Sequence, residues 1–307
     1  MKILITGGSG FLGRNLIERL KSEGHDISCL DRNLAPFLEE YGVRTIQGDI
    51  YEQVAVDEAV RGMDVVVHMA CTTLPKTSND DPYFDVLTNV GGSIRLLDSA
   101  VKNKVKKFVF ISSGGTVYGT PTEVPIKETH PTNPECSYGI TKLTIEKYLQ
   151  LYMDLKGLQT CTLRLANPYG KYQRYKAIQG VIPVFCYKAL KEEPIQIWGD
   201  GTVKRDFIAI EDTVRAISMA IESPTATGVF NIGGGGAFSL NEILDCIEQI
   251  IGKKLIREYG ESRPFDVPIS YLDISKAEQI LGWKPEIDIK TGIGSTIEWI
   301  KSCISMK

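Results

Sequence analysis

The stretch Lys2-Ile3-Leu4-Ile5-Thr6-Gly7-Gly8-Ser9-Gly10-Phe11-Leu12-Gly13 decides how the rest of the chain is read. A short apolar run passes directly into glycines at 7, 10 and 13, and a helical pattern follows over 11–23. Glycines in that order allow a tight turn, a close backbone approach to a pyrophosphate, and close packing of the helix on the sheet. The new helix offers free N–H groups and a partial positive charge to the phosphates. Glycine spacing alone is a weak signal. A strand before it and a helix after it, at the head of the first βαβ unit, give it meaning. The backbone of Gly7, Gly10, Phe11, Leu12 and Gly13 is the predicted phosphate cradle.

Working outward, strands are expected at 2–6, 26–31, 44–48, 64–68, 107–112 and 160–165, with helices near 11–23, 51–61, 84–103 and 137–155. Unpolarised apolar strands such as Val65-Val66-Val67 imply a parallel sheet covered on both faces. The fold class is α/β, a Rossmann-type doubly wound parallel sheet. From about Ala166 the rhythm changes, with short strands at 195–198 and 206–210, then a helix at 212–222 and a strand at 229–232 that extend the first sheet. The expected division is a dinucleotide-binding domain of 1–167 plus about 206–233. A smaller, interleaved C-terminal substrate-binding lobe takes 168–205 and 234–307.

Composition narrows the class. The 307 residues are 43% hydrophobic and 24% charged, with a net charge of −3, which gives no electrostatic case for nucleic acid. The cluster Lys102, Lys104, Lys106 and Lys107 reads as a solvated connection. The apolar run at the N-terminus is too short for a signal peptide or membrane span. Seven dispersed cysteines without Cys-x-x-Cys spacing read as reduced thiols of the cytosol, and the three histidines do not cluster, so no metal is expected.

Asp31 ends the second strand, 18 residues after Gly13. A carboxylate there accepts hydrogen bonds from ribose hydroxyls and repels a 2′-phosphate, favouring NAD; Arg32 beside it is the counter-signal for NADP. Gly48-Asp49-Ile50 follows the third strand, where Asp49 meets the adenine or caps the helix after it. Tyr138 and Lys142 stand one helical turn apart in Ser-Tyr-Gly-Ile-Thr-Lys. An ammonium beside a phenol lowers the phenol pKa from its reference of about 10. Tyr138 and Lys142 are the candidate acid/base pair.

Taken together, these residues resemble the extended short-chain dehydrogenase/reductase family, and within it the NAD-dependent nucleotide-sugar epimerases and dehydratases. The resemblance covers nearly the whole chain. It is carried by Thr6–Gly13, Asp31, Asp49, His68-Met69-Ala70, Asn89-Val90-Gly91, Ser112–Gly119, Tyr138…Lys142, Leu163–Gly170, Arg205-Asp206-Phe207, Arg263-Pro264-Phe265-Asp266 and Leu281-Gly282-Trp283. It implies that Tyr138 is the acid/base and that Lys142 holds the nicotinamide ribose. It adds Ile50, Ala70 and Asn89 to the cofactor site. Asn167, Arg205 and Arg263 would bind the substrate diphosphate and Asp266 its ribose, while Gln196 and Trp198 would lie against the base. Ser270, a small residue, would leave room for an N-acetyl group beside the sugar. The resemblance also implies a homodimer.

One departure stands out. Five residues before the glycine of Val117-Tyr118-Gly119 the family pattern carries Ser or Thr; here it is Gly114. Ser113 and Thr116 are the nearest hydroxyls, and in an extended segment Thr116 keeps the parity of position 114. Family dehydratases and decarboxylases use acids in this segment, where this chain has Gly115 and Thr116. That leaves a 4-epimerase, with a 4-ketoreductase as the alternative and a non-catalytic nucleotide-sensing module as the third reading.

Overall fold

The computed structural model describes residues 1–176, 180–262 and 267–305. The first half supplies β1 (Lys2–Thr6), β2 (Asp26–Asp31), β3 (Arg44–Gln47), β4 (Val65–His68), β5 (Lys107–Ser113) and β6 (Gln159–Leu165). Its helices are α1 (Phe11–Ser22), α2 (Phe37–Glu40), α3 (Gln53–Val60), α4 (Pro82–Asp85), α5 (Gly91–Lys102) and α6 (Ser137–Lys156). A π-helical turn, Val86–Val90, joins α4 to α5, so the helix expected over 84–103 is continuous but not uniform. The second half continues with β7 (Asn167–Tyr169), α7 (Val181–Leu190), β8 (Ile195–Trp198), β9 (Lys204–Arg205), β10 (Phe207–Ala209), α8 (Ile210–Glu222) and β11 (Gly228–Ile232). It ends with β12 (Phe238–Ser239), α9 (Leu240–Ile251), β13 (Arg257–Gly260), β14 (Ile269–Ser270), α10 (Ser275–Leu281) and α11 (Ile289–Ser305).

Seven strands pair in the order β11-β6-β5-β4-β1-β2-β3, every pairing parallel. The chain runs outward from β1 to β3 and then returns to β4 on the other side of β1. That reversal opens a crevice at the carboxyl ends of β1 and β4, where open α/β sheets bind ligands. Strand alternation feeds two cores. Ile3, Ile5, Val65, Val67 and Val109 point to one face, while Leu4, Val66, Phe108 and Phe110 point to the other.

A third core joins α7, α9 and α11 through Phe185, Ile243, Leu244 and Ile297. Two details depart from the division expected by position. Phe207 and Ala209 of β10 belong to this third core. Conversely Ala277, Leu281 and Trp283 pack into the first core, and the Trp283 indole N–H donates to the Asp212 carbonyl at 3.1 Å. Lys107 corrects the reading of a solvated basic cluster. It is 4% exposed, and its ammonium donates to the carbonyls of Ala220 (2.7 Å) and Ser223 at the end of α8. A cation suits the negative end of a helix. No helix among the described residues is long and apolar enough to cross a membrane.

Candidate active site

The glycine turn builds a cleft of about 690 Å³ beside β1 and β2. Gly7 has φ +75°, and a Cβ there would lie 2.9 Å from the Ala70 nitrogen, so neither the conformation nor the space admits a side chain. At Gly13 a Cβ would meet the Gly8 carbonyl oxygen at 2.5 Å, so the first turn of the helix lies close on the loop, while Leu16, Ile17 and Leu20 pack the helix on the sheet. Gly8, which spacing did not single out, is pinned against Cys29 Sγ, 2.5 Å from where its Cβ would stand. Gly10 precedes α1 in extended conformation, and Phe11 and Leu12 open that helix with side chains packed toward the first core.

Asp31 sits at the rim of this cleft. Its carboxylate accepts the backbone N–H groups of Ser9 (3.1 Å) and Asn33 (3.2 Å), which ties the second strand to the cradle. Arg32 lies 3.9 Å from Asp49 across the mouth, so its charge is directed toward a carboxylate. Asp49 accepts the Tyr51 N–H at 3.0 Å and closes a turn; the N-cap of α3 is Glu52, not Asp49. Ile50 and Ala70 line the cleft. Asn89 does not. It is 2% exposed, accepts the Thr72 N–H (2.9 Å) and donates to Asp85 and Thr72 Oγ1, so it shapes the cleft wall from behind. A glycine cradle at a helix N-terminus, with a carboxylate at the ribose end, fits a dinucleotide whose ribose carries no 2′-phosphate.

Behind the cleft runs a buried relay. Thr6 Oγ1 accepts the N–H groups of Met69 and Ala70 (3.2 Å each) and lies 2.7 Å from His68 Nδ1; His68 Nε2 lies 2.9 Å from Ser93 Oγ. Ser93 donates to the Asn89 carbonyl at 2.6 Å, so the neutral imidazole is protonated on Nε2. Burial holds the His68 pKa down at about 3.

Tyr138 faces the same cleft from the first turn of α6. Lys142 is 4% exposed; its ammonium donates to the Ile111 carbonyl at 2.9 Å and lies 5.6 Å from the Tyr138 ring centroid. The protonation balance differs from the sequence expectation. Burial, followed by Cys71, Cys136 and Asp85, pushes the phenol well above its ordinary range. Burial also pulls the Lys142 amine down, against Cys71, Glu146 and Asp85. At both groups the largest cause is desolvation.

A second cavity of about 250 Å³ opens next to this cleft, lined by Gly114, Thr116, Cys136, Asn167, Arg205 and Ser270 among others. Here the structure explains the missing hydroxyl. A Cβ on Gly114 would lie 2.6 Å from Leu272 Cδ1 and 3.3 Å from the Leu165 carbonyl, so Leu272 fills the space a Ser or Thr would use. Thr116 Oγ1 is buried and has no hydrogen-bond partner among the described residues. Ser113 closes β5, its carbonyl accepting from Thr116 N (3.4 Å) and Val117 N (3.2 Å), and it does not line the cavity.

The remaining substrate candidates divide. Asn167 Nδ2 donates to the Asp206 carbonyl at 2.7 Å, and Arg205 donates to the carbonyls of Lys204 (2.9 Å) and Val267 (2.6 Å). Asp206, which the sequence showed only as part of the motif Arg205-Asp206-Phe207, is the joint here: it is 2% exposed and accepts Gly234 N–H (2.7 Å) and Leu272 N–H (3.1 Å). Gln196 and Trp198 lie on the exposed face of β8, which pairs with β13, and Gln196 bonds Glu258; neither lines the cavity. Alternation along β8 turns Ile195 and Ile197 inward and these two outward. Arg263 and Asp266 lie outside the described residues.

A glycine-cradled cleft, a Tyr/Lys pair on its wall and an adjoining polar cavity define a dinucleotide-dependent enzyme site of the short-chain dehydrogenase/reductase kind. Residues 3–233 match the NAD dependent epimerase/dehydratase family, and the chain belongs to it. It is 34% identical to a UDP-glucose 4-epimerase of Mycolicibacterium smegmatis, over 98% of this chain and 99% of the relative. It is 33% identical to a dTDP-4-dehydro-6-deoxyglucose reductase of Escherichia coli, over 97% of each. The solved UDP-glucose 4-epimerase of Thermotoga maritima with UDP-glucose superposes with a TM-score of 0.93 at 32% identity, covering 99% of this chain and 100% of that one.

Two outcomes follow from the site's packing. Gly114→Ser, which restores the family pattern, should lower stability by about 1–3 kcal/mol through overpacking, and Leu272→Ala should relieve that loss in the double variant, as read by denaturant unfolding. Burial raises the Asp206 pKa to about 6. A carboxyl with a raised native pKa binds protons in the folded state first, so its contribution to stability falls as pH rises from about 4 to about 6. The stability difference between wild type and Asp206→Asn should therefore change by roughly 2–3 kcal/mol across that window; a flat difference would contradict the burial of the charge.

Proposed function

We propose that the protein is an NAD-dependent nucleotide-sugar 4-epimerase, acting on UDP-glucose and UDP-galactose or their N-acetylated counterparts through a transient 4-keto sugar. The observation that carries this reading is the start of α6. Cys136 lines the polar cavity while Tyr138, two residues on, lines the dinucleotide cleft, so the phenol stands where the two ligands would meet. Gly7, Gly10 and Asp31 would hold the dinucleotide, and Lys142 its nicotinamide ribose. NAD⁺ held there would supply a reversible acceptor for the C4 hydride, which epimerisation requires to come back on the opposite face of the 4-keto sugar. Tyr138 takes and restores the O4 proton. A phenol held up by burial needs nearby positive charge to become a base, and Lys142 lies on its ring side. Thr116, with a buried oxygen lacking a partner and a place in the cavity wall, supplies the hydroxyl absent at Gly114.

Asn167 and Arg205 would meet the diphosphate, and Ser270 borders the sugar. Gly115 and Thr116 offer no acid for dehydration, which sets the dehydratases aside. A 4-ketoreductase is the second reading, favoured by the E. coli relative; the Asp31 carboxylate, bound to the cradle and repelling a 2′-phosphate, argues against its usual NADPH. Purified protein should carry NAD and interconvert a UDP-sugar with no cofactor added. A need for stoichiometric NADPH would refute the epimerase reading. Thr116→Val should cost roughly 10²-fold in kcat; turnover within a few-fold of wild type would remove Thr116 from the mechanism.

The protein is also read as a homodimer through α4 and α6, where Tyr83, Ile140 and Leu155 are 76%, 50% and 69% exposed. Large exposed apolar side chains on adjacent helices suit a self-complementary interface. Light scattering should give twice the 34.0 kDa chain mass; a monomer at micromolar concentration would count against it.

A further inference from the structure

Asp85, the last residue of α4, is fully buried, and nothing in its sequence context marks it. Its carboxylate accepts four side-chain hydrogen bonds. Oδ1 receives Thr73 Oγ1 at 2.5 Å and Asn89 Nδ2 at 2.9 Å. Oδ2 receives Ser137 Oγ at 2.7 Å and Thr141 Oγ1 at 2.8 Å. Two donors on each oxygen satisfy an anion that would otherwise be costly to bury.

The two oxygens serve different parts of the site. Thr73 lines the dinucleotide cleft, and Asn89 holds the Thr72 N–H at 2.9 Å, so Oδ1 belongs to the cofactor wall. Ser137 and Thr141 each precede one member of the Tyr138/Lys142 pair, and at one-turn spacing they share a helix face. Oδ2 therefore belongs to the catalytic helix. The same helix start takes two further bonds from the segment before α4: Ser137 N–H to Asn79 Oδ1 (2.9 Å) and Tyr138 N–H to Ser78 Oγ (3.0 Å).

We propose that Asp85 is a positioning residue that locks the cofactor-cleft wall to the first turn of the catalytic helix, so that phenol, ammonium and dinucleotide cleft share one geometry. This rests on the reading of Tyr138 as acid/base. A carboxylate that only stabilised the fold would leave the turnover of folded protein unchanged. This one also acts on the phenol electrostatically. Among the described residues, the titratable groups acting on Tyr138 are Cys71, Cys136 and Asp85, which raise its pKa, and Lys142 lies on its ring side.

Asp85→Asn keeps the shape and removes the charge. It should lower kcat roughly 10- to 100-fold by misplacing the reacting groups, with KM for the sugar nucleotide within about two-fold. The pH–rate limb that reports the phenol should move to lower pH, because a nearby negative charge is gone. Amide hydrogen exchange should quicken in both 70–74 and 137–142. Turnover within about two-fold of wild type, with the limb and the exchange unmoved, would overturn the proposal. If wild type turns over no nucleotide sugar while Asp85→Asn still loosens both segments, the functional reading fails and the lock stands. Should Asp85→Asn not fold, Ser137→Ala and Thr141→Val each delete one donor; wild-type kcat and exchange in both would likewise overturn it.

Discussion

The first turn of α6 carries the two groups on which the chemistry depends, yet the bonds that hold it come from elsewhere in the chain. Its N-cap residue, Cys136, makes no side-chain capping bond. Helix N-termini leave N–H groups without intrahelical partners, and buried ones must be satisfied. Asn79 and Ser78 satisfy the first two, and Asp85 takes the hydroxyls of Ser137 and Thr141. From the other side the Ile111 carbonyl at the end of β5 holds the Lys142 ammonium. Farther along the helix, Glu146 accepts Ser112 Oγ at 2.5 Å and the Nε and Nη2 groups along one edge of the buried Arg164 guanidinium. The helix is thus fastened to β5 and β6 below and to the cofactor wall beside it.

The same constraint shapes the cofactor side. Where β1 and β4 end, backbone and side-chain polar groups leave the ladder inside a dry interior. Thr6, His68, Ser93 and Asn89 pass hydrogen bonds from one to the next and close the account for the turn at 69–72. Burial keeps His68 neutral, which lets one ring nitrogen accept and the other donate. A protonated imidazole would break that direction.

Much of this was legible in the residues. The glycine cradle, Asp31 at the end of β2 and the parallel sheet follow from local patterns: strand period, turn conformation and the strand–glycine–helix order. Leu272 against Gly114 was not legible, because residues 158 positions apart meet only when β14 pairs with β9 and returns the chain over β5. Lys107 read as solvated because its three neighbouring lysines hide the α8 carbonyls that receive it. Gln196 and Trp198 were placed against the base by resemblance, and strand alternation leaves both on the exposed face of β8. Asn89 was placed on the cofactor by resemblance, and its side chain buttresses the loop that lines the cleft.

By itself the sequence determined that a dinucleotide cradle opens a doubly wound sheet and that a phenol and an amine share one helix face. These depend on short-range geometry, which a few consecutive residues carry. Only the tertiary structure decided how that phenol is charged, what occupies the place of the absent hydroxyl, and what orients the helix bearing the pair. Burial and hydrogen-bond partners are properties of surroundings, and the surroundings of Tyr138 come from residues 71, 78, 85, 136 and 142, brought together by folding.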